Sequence, residues 1–178
     1  TIAGHGEWVN TSTYIYYPDT ALYGGTNYSV SLNATLQATS GVSLAAGEQW
    51  NFNTASPALV SALPEPGSDI IPLDTSLTLA FNQSMDPASV EMNFSLISPA
   101  GQPIPGSFEW GENDREMVFA PAELLARNAT YTFQLAGQAQ ALGGTPLGNG
   151  FSSTFSTVGG LVITSTNPQP GGVSDIHE

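Results

Sequence analysis

The side chains able to do acid–base, nucleophilic or metal chemistry in this chain are few and scattered. Its two histidines, His5 and His177, lie near opposite ends of 178 residues, and there is no cysteine. Lysine is absent too: the basic side chains besides histidine are Arg115 and Arg127, against 15 acidic ones. Lack of cysteine removes disulfides, thiolate metal ligands and thiol nucleophiles together. Lack of lysine removes Schiff-base catalysis and Lys–Asn isopeptide cross-links. Two remote histidines do not make a zinc site. Nor do they supply the nucleophile, base and orienting group that a catalytic constellation needs close together. No catalytic residue and no cofactor are expected, and an enzyme is the least expected class.

Oxygen ligands are more plentiful. The stretch Glu109–Glu116 gathers Glu112, Asp114 and Glu116 between two expected strands, and carboxylates are the donors calcium prefers. Their spacing is not that of a calcium loop, and Arg115 offsets part of their charge. The stretch therefore reads as a solvated turn, with these three as weak calcium candidates. Asp69 and Asp74 flank Ile70-Ile71-Pro72 and suit turn capping. Six Asn-x-Ser/Thr sequons start at Asn10, Asn27, Asn33, Asn82, Asn93 and Asn128, more than this composition gives by chance. They are candidate glycosylation sites in a host that glycosylates Asn. Asn27 and Asn128 are taken to occupy matching loop-to-strand positions. Tyr16, Tyr17 and Tyr23 are the aromatic features by which an adhesin-like module would bind a glycan or protein.

The formal charge of −13 excludes a nucleic-acid partner, because phosphate binding depends on clustered Lys and Arg. It disfavours an anionic membrane surface for the same reason. No apolar run approaches the ~20 residues of a membrane span, so no membrane insertion is expected. Only 10% of residues are charged. A surface so neutral and polar suits an extracellular or cell-surface protein, with any export signal outside this sequence.

The elements that must position these residues are strands. Alternating or β-branched runs recur between Gly, Pro, Asn and Asp, the pattern of an all-β sandwich. Strands are expected near Leu59–Leu63, Ser76–Phe81, Asn93–Ser98, Gly106–Trp110, Glu116–Ala120, Thr130–Gly137 and Ser152–Thr157. Leu77, Leu79 and Phe81 alternate with Thr78 and Ala80, and Tyr131, Phe133 and Leu135 with Thr132 and Gln134. Each such strand offers one apolar face, and two sheets packed on those faces make a core. Asp86-Pro87 reads as the N-cap and first residue of a helical turn, and Pro121–Leu125 as a second turn. Trp8 and Trp110 are expected to anchor a core or corner.

A long repeat organises these strands. Pro18, Leu22, Tyr28, Leu32, Gly41, Leu44, Gly47, Phe52 and Thr54 match Pro121, Leu125, Tyr131, Leu135, Gly144, Leu147, Gly150, Phe155 and Thr157 at one constant step, 121 − 18 = 103. A period of one domain length means tandem globular modules. The division read from it is 1–57, the second half of a module whose early strands are missing; 58–157, a complete module; and 158–178, the opening strand and tail of another. Short linkers predict modules stacked end to end as a semi-rigid rod.

Leu63-Pro64-Glu65-Pro66-Gly67, the strand Leu77–Phe81 running on to Met85-Asp86, Phe119-Ala120-Pro121, Thr130-Tyr131, Gly143-Gly144 and Phe155-Ser156-Thr157 together resemble the bacterial SbsA-type Ig-like domain. The likeness covers 58–157, the second-half motifs of 14–54 and the Asn-Pro-Gln-Pro-Gly opening at 167–171. It implies non-catalytic Greek-key β-sandwich modules of cell-surface, S-layer or macroglobulin-like proteins, with no shared active site.

The expected function is therefore a structural or spacer segment of a secreted or cell-surface protein. Its partners would be neighbouring Ig-like modules or other copies of the chain, and a glycan or protein ligand for an adhesin. The incomplete first module points to truncation of a longer array. The alternative is an extracellular filament assembled by strand complementation, with Leu161, Val162 and Ile163 as the donated strand.

Overall fold

The computed structural model describes residues 1–163, 165–166 and 171–172. His177 and residues 167–170 of the Pro-rich opening lie outside the described residues. In chain order the elements are β1 (Gly4–Trp8), β2 (Tyr14–Pro18), β3 (Asn27–Leu32), β4 (Glu48–Asn53), β5 (Leu59–Leu63), β6 (Leu77–Phe81), α1 (Pro87–Asn93), β7 (Phe94–Ile97), β8 (Gly106–Trp110), β9 (Glu116–Pro121), β10 (Thr130–Leu135) and β11 (Phe151–Ser156). Each expected strand of the complete module is present, within two residues of its expected ends. The fold class is all-β.

Residues 58–157 form two antiparallel sheets, β5-β6-β9-β8 and β11-β10-β7. Alternation decides which face is buried: Leu77, Leu79 and Phe81 turn inward, as do Tyr131, Phe133 and Leu135, while Thr78, Ala80, Thr132 and Gln134 are more exposed. Met117, Phe119, Phe94, Leu96 and Phe155 fill the space between. Phe133 is fully buried, a placement that stabilises by about 1.5–3 kcal/mol relative to exposure. Between β5 and β6 the chain crosses to the second sheet and runs parallel to the edge of β11. There the Gly67 N–H donates to the Thr154 carbonyl (2.8 Å), Ser156 to Ser68 (2.9 Å), Ile71 to Ser156 (3.0 Å) and Val158 to Ile71 (3.0 Å).

Asp86 caps α1 through its side chain, with Pro87 in the first turn, as expected. The second expected turn is absent. Over Pro121–Leu125 the Ala122 N–H donates to Pro105 and the Leu125 N–H to Leu73, both at 2.9 Å, so the Leu125 donor that would close a helical turn on Pro121 goes to a tertiary partner. Trp110 is half-buried against the core, and its indole N–H donates to Glu91 Oε1 at 2.9 Å.

The first 54 residues form two hairpins, β1-β2 and β3-β4. They reproduce the skeleton of the complete module's second half. Gly4 pairs with Pro18 and Trp8 with Tyr14, as Gly106 pairs with Pro121 and Trp110 with Met117. Tyr28 stacks on Phe52 at 5.5 Å, and Tyr131 on Phe155 at 5.7 Å. The Tyr28 hydroxyl accepts from the Tyr23 N–H at 2.9 Å, and the Tyr131 hydroxyl from the Ala126 N–H at 2.8 Å. Thr54 Oγ1 donates to the Tyr23 carbonyl as Thr157 Oγ1 donates to that of Ala126, each at 2.6 Å.

Burial does not repeat. Tyr16 is 47% exposed where Phe119 is 3%, and Phe52 is 41% exposed where Phe155 is 1%. Trp8, expected as an anchor, is exposed: it has the register of Trp110 but no counterpart of α1 to supply a carboxylate and a wall. The opening strand expected from Leu161 onward has no strand pairing among its described residues. Leu161, Val162 and Ile163 are exposed and outside any strand.

Candidate inter-module joint

His5 stands on the two-stranded β1-β2 sheet, with its ring stacked on Tyr17 and Nδ1 3.6 Å from Asp19 Oδ1. Both side chains are largely exposed, and no nucleophile is among their contacts. Glu112 and Asp114 fall in the tight turn between β8 and β9, where Asn113 and Asp114 take left-handed backbone (φ 61° and 52°), and Glu116 opens β9. Among the described residues no three carboxylate or imidazole side chains converge as a metal site would require. Tyr16 and Tyr17 alternate to opposite faces of β2, and Tyr23 lies at the base of β3. The three therefore do not form one aromatic platform.

The sequons separate by what their amides already do. Asn27 Nδ2 donates to Asn53 Oδ1 across the β3-β4 ladder (2.7 Å), and Asn93 Nδ2 donates to the Ser89 carbonyl of α1 (2.8 Å). Asn10 and Asn33 use Oδ1 to hold their own turns, accepting from Ser12 and Thr35. Asn27 and Asn128 do not occupy matching positions. Asn27 opens β3, whereas Asn128 precedes β10 in the left-handed region (φ 51°), where its repeat counterpart is Gly25 (φ 62°). Asparagine tolerates that backbone better than most residues.

Polar groups converge where the two modules meet. Asn82 bridges the linker: its Nδ2 donates to the Ser56 carbonyl and its Oδ1 accepts from the Ala58 N–H, both at 2.9 Å. The Gly24 N–H donates to Thr145 Oγ1 at 2.7 Å, and Gly24 and Pro57 are buried. The Leu22 carbonyl lies so close to Gly143 that a Cβ there would sit 2.2 Å from its oxygen. Gly143 is thus required by the approach of the neighbouring backbone. The Leu142 N–H donates to Ser84 (3.0 Å), which ties this loop to the turn that carries Asn82.

Reasoning from sequence missed this joint, although a signal was present. Along the repeat, Ser40-Gly41-Val42 becomes Gly143-Gly144-Thr145. The middle glycine is common to both turns, with φ 82° and 85°. The outer two residues differ where the preceding module presses in.

No match to a curated protein was found. Among solved structures, the chain is similar to the methionine-rich copper resistance protein PcoC from Escherichia coli, at 21% identity and TM-score 0.47, over 58% of this chain and 99% of that one. It is similar to L,D-transpeptidase 3 from Mycobacterium tuberculosis at 20% identity and TM-score 0.40, over 57% of this chain and 37% of that one. It also resembles surface layer protein SbsC, domains 1–6, at 17% identity and TM-score 0.39, over 57% of this chain and 14% of that one. The chain spans two fifths or less of the transpeptidase structures it matches first. A family described as bacterial Ig-like domain matches residues 53–157, which is more than half of the sequence and takes in the whole two-sheet sandwich. The chain belongs to the bacterial Ig-like domain family.

Proposed function

We propose that this chain is a non-catalytic structural segment of a secreted or cell-surface protein, holding neighbouring modules at a fixed angle. The observation that supports this reading best is the joint. Asn82 clamps both sides of the linker, and Gly24 and Gly143 let backbones meet without side chains between them. A linker tied by hydrogen bonds and close packing loses the freedom of a flexible tether. The SbsA-type motifs, the sparsely charged polar surface and the scatter of reactive side chains agree with a surface spacer. Among the described residues no helix is long and apolar enough to cross a membrane.

Lack of cysteine makes the test clean, because two introduced cysteines take spin labels at chosen positions only. With labels at Gln49→Cys and Glu123→Cys, the spacer reading expects one narrow distance distribution. Gly143→Val should broaden or shift it while the complete module melts within about 1 kcal/mol of its original stability, since the added side chain meets the neighbour rather than its own core. A broad distribution in the unsubstituted chain sinks the fixed angle. A hydrolytic or transferase activity abolished by a single substitution sinks the non-catalytic role.

A further inference from the structure

The first module leaves an apolar sheet face and two strand edges without partners among the described residues. Strand β2 pairs only with β1, and β3 only with β4. Their repeat counterparts have a second neighbour: β9 lies between β8 and β6, and β10 between β11 and β7. The exposed side chains beside those edges, Tyr14, Tyr16, Leu32 and Phe52, stand where the complete module buries Met117, Phe119, Leu135 and Phe155.

We propose that this face is covered in cis by the front half of an Ig-like module, carried on the same polypeptide ahead of Ile2. The covering segment is of the β-β-α-β kind formed by residues 58–103, with its second strand antiparallel to β2 and its last antiparallel to β3. This goes beyond the spacer reading and does not depend on it.

Three observations specify the occupant. First, the registers of the two hairpins match those of β8-β9 and β10-β11 pair for pair. The face is therefore already shaped for what β6, α1 and β7 supply in the complete module. Second, Ile2 is the counterpart of Ile104, whose N–H donates to the Leu96 carbonyl in β7 at 2.8 Å after a tight turn closed by Ser98 N–H to Gln102 O. The same short turn would join the last covering strand directly to Ile2, and so short a tether gives a high effective concentration. Third, a second copy of this chain is a poor donor. Its residues 58–103 already serve its own core, with Leu77 and Leu79 fully buried. Its Leu161–Ile163 segment is of the β5 kind, and β5 pairs with β6 alone, so it would satisfy neither free edge.

The test compares the 178-residue chain with a polypeptide in which residues 58–103 of its own sequence are placed directly ahead of Ile2. The 178-residue chain should be monomeric, bind an apolar dye and expose Trp8 and Trp50 to acrylamide. In the extended polypeptide the dye signal should fall, and amides on the free edges of β2 and β3 should exchange roughly tenfold more slowly or better. A version carrying Val30→Phe, matching Phe133, guards against a poor fit of the borrowed segment. A folded extended polypeptide whose edges stay unprotected in both versions overturns the proposal. So does a self-associated 178-residue chain with those edges already protected, which would make the second copy the occupant. Should neither extended version fold, a monomeric 178-residue chain that shields Trp8 and Trp50 from acrylamide overturns it, and one that leaves both quenchable upholds the open face.

Discussion

The two hairpins of residues 1–54 and the β8–β11 half of the complete module have one hydrogen-bonded skeleton and two states of burial. Paired registers, the tyrosine corner and the threonine beneath it agree to a few tenths of an ångström. Side chains on the inward face do not: Phe155 is sealed in, and Phe52 is open to solvent. Hairpin pairing and turns are local, so each half-module carries its own instructions for them. Burial belongs to the partner sheet. Most stability should reside where that sheet is present, because apolar area removed from water is the main favourable term in folding.

Equivalent substitutions in the two regions test this division. The largest contrast is expected for Phe155→Ala, which should cost the complete module about 3–5 kcal/mol in denaturant unfolding. Phe52→Ala, at the same register position, should cost less than about 1 kcal/mol. Equal losses would show that the first module is buried in solution. Thr157→Val comes next. Its buried hydroxyl accepts from the Ala129 N–H and donates to the Ala126 carbonyl, so the change should cost about 1–3 kcal/mol. Thr54→Val should cost less, because its surroundings are wetter.

A gain of about 1 kcal/mol in thermal or denaturant unfolding is expected from Ile70→Gly, since a β-branched residue at φ 61° is strained and this side chain is largely exposed. A loss there would mean that the Ile70 side chain packs in solution. The smallest effect on stability should come from Asn82→Ala, within about 1 kcal/mol. Its effect on geometry should be plain, because labels placed across the joint should report a wider spread of distances.

Much of the architecture was legible in the sequence because strands announce themselves locally. Leu77-Thr78-Leu79-Ala80-Phe81 can bury only one face, and Asp86-Pro87 can begin a helix without help. The errors share one cause, dependence on distant partners. Pro121–Leu125 gives its Leu125 N–H to Leu73 instead of closing a turn. Trp8 has the hairpin of Trp110 but not the helix that covers it. Leu161–Ile163 has strand-forming residues and no neighbour to pair with among the described residues. The joint was written in the change from Ser40 and Val42 to Gly143 and Thr145, yet only the position of Leu22 and Gly24 gives that change a meaning.

The parallel run of residues 67–71 beside the edge of β11 has a mechanical consequence. Tension applied between Ala58 and Val158 would pull these two segments lengthwise past each other. The bonds from Gly67, Ser156, Ile71 and Val158 lie across that pull, so they share the load and fail together instead of opening one after another like a zip. Resistance to stretching would thereby be shared between the β5-β6 ladder and this short seam beside the sandwich.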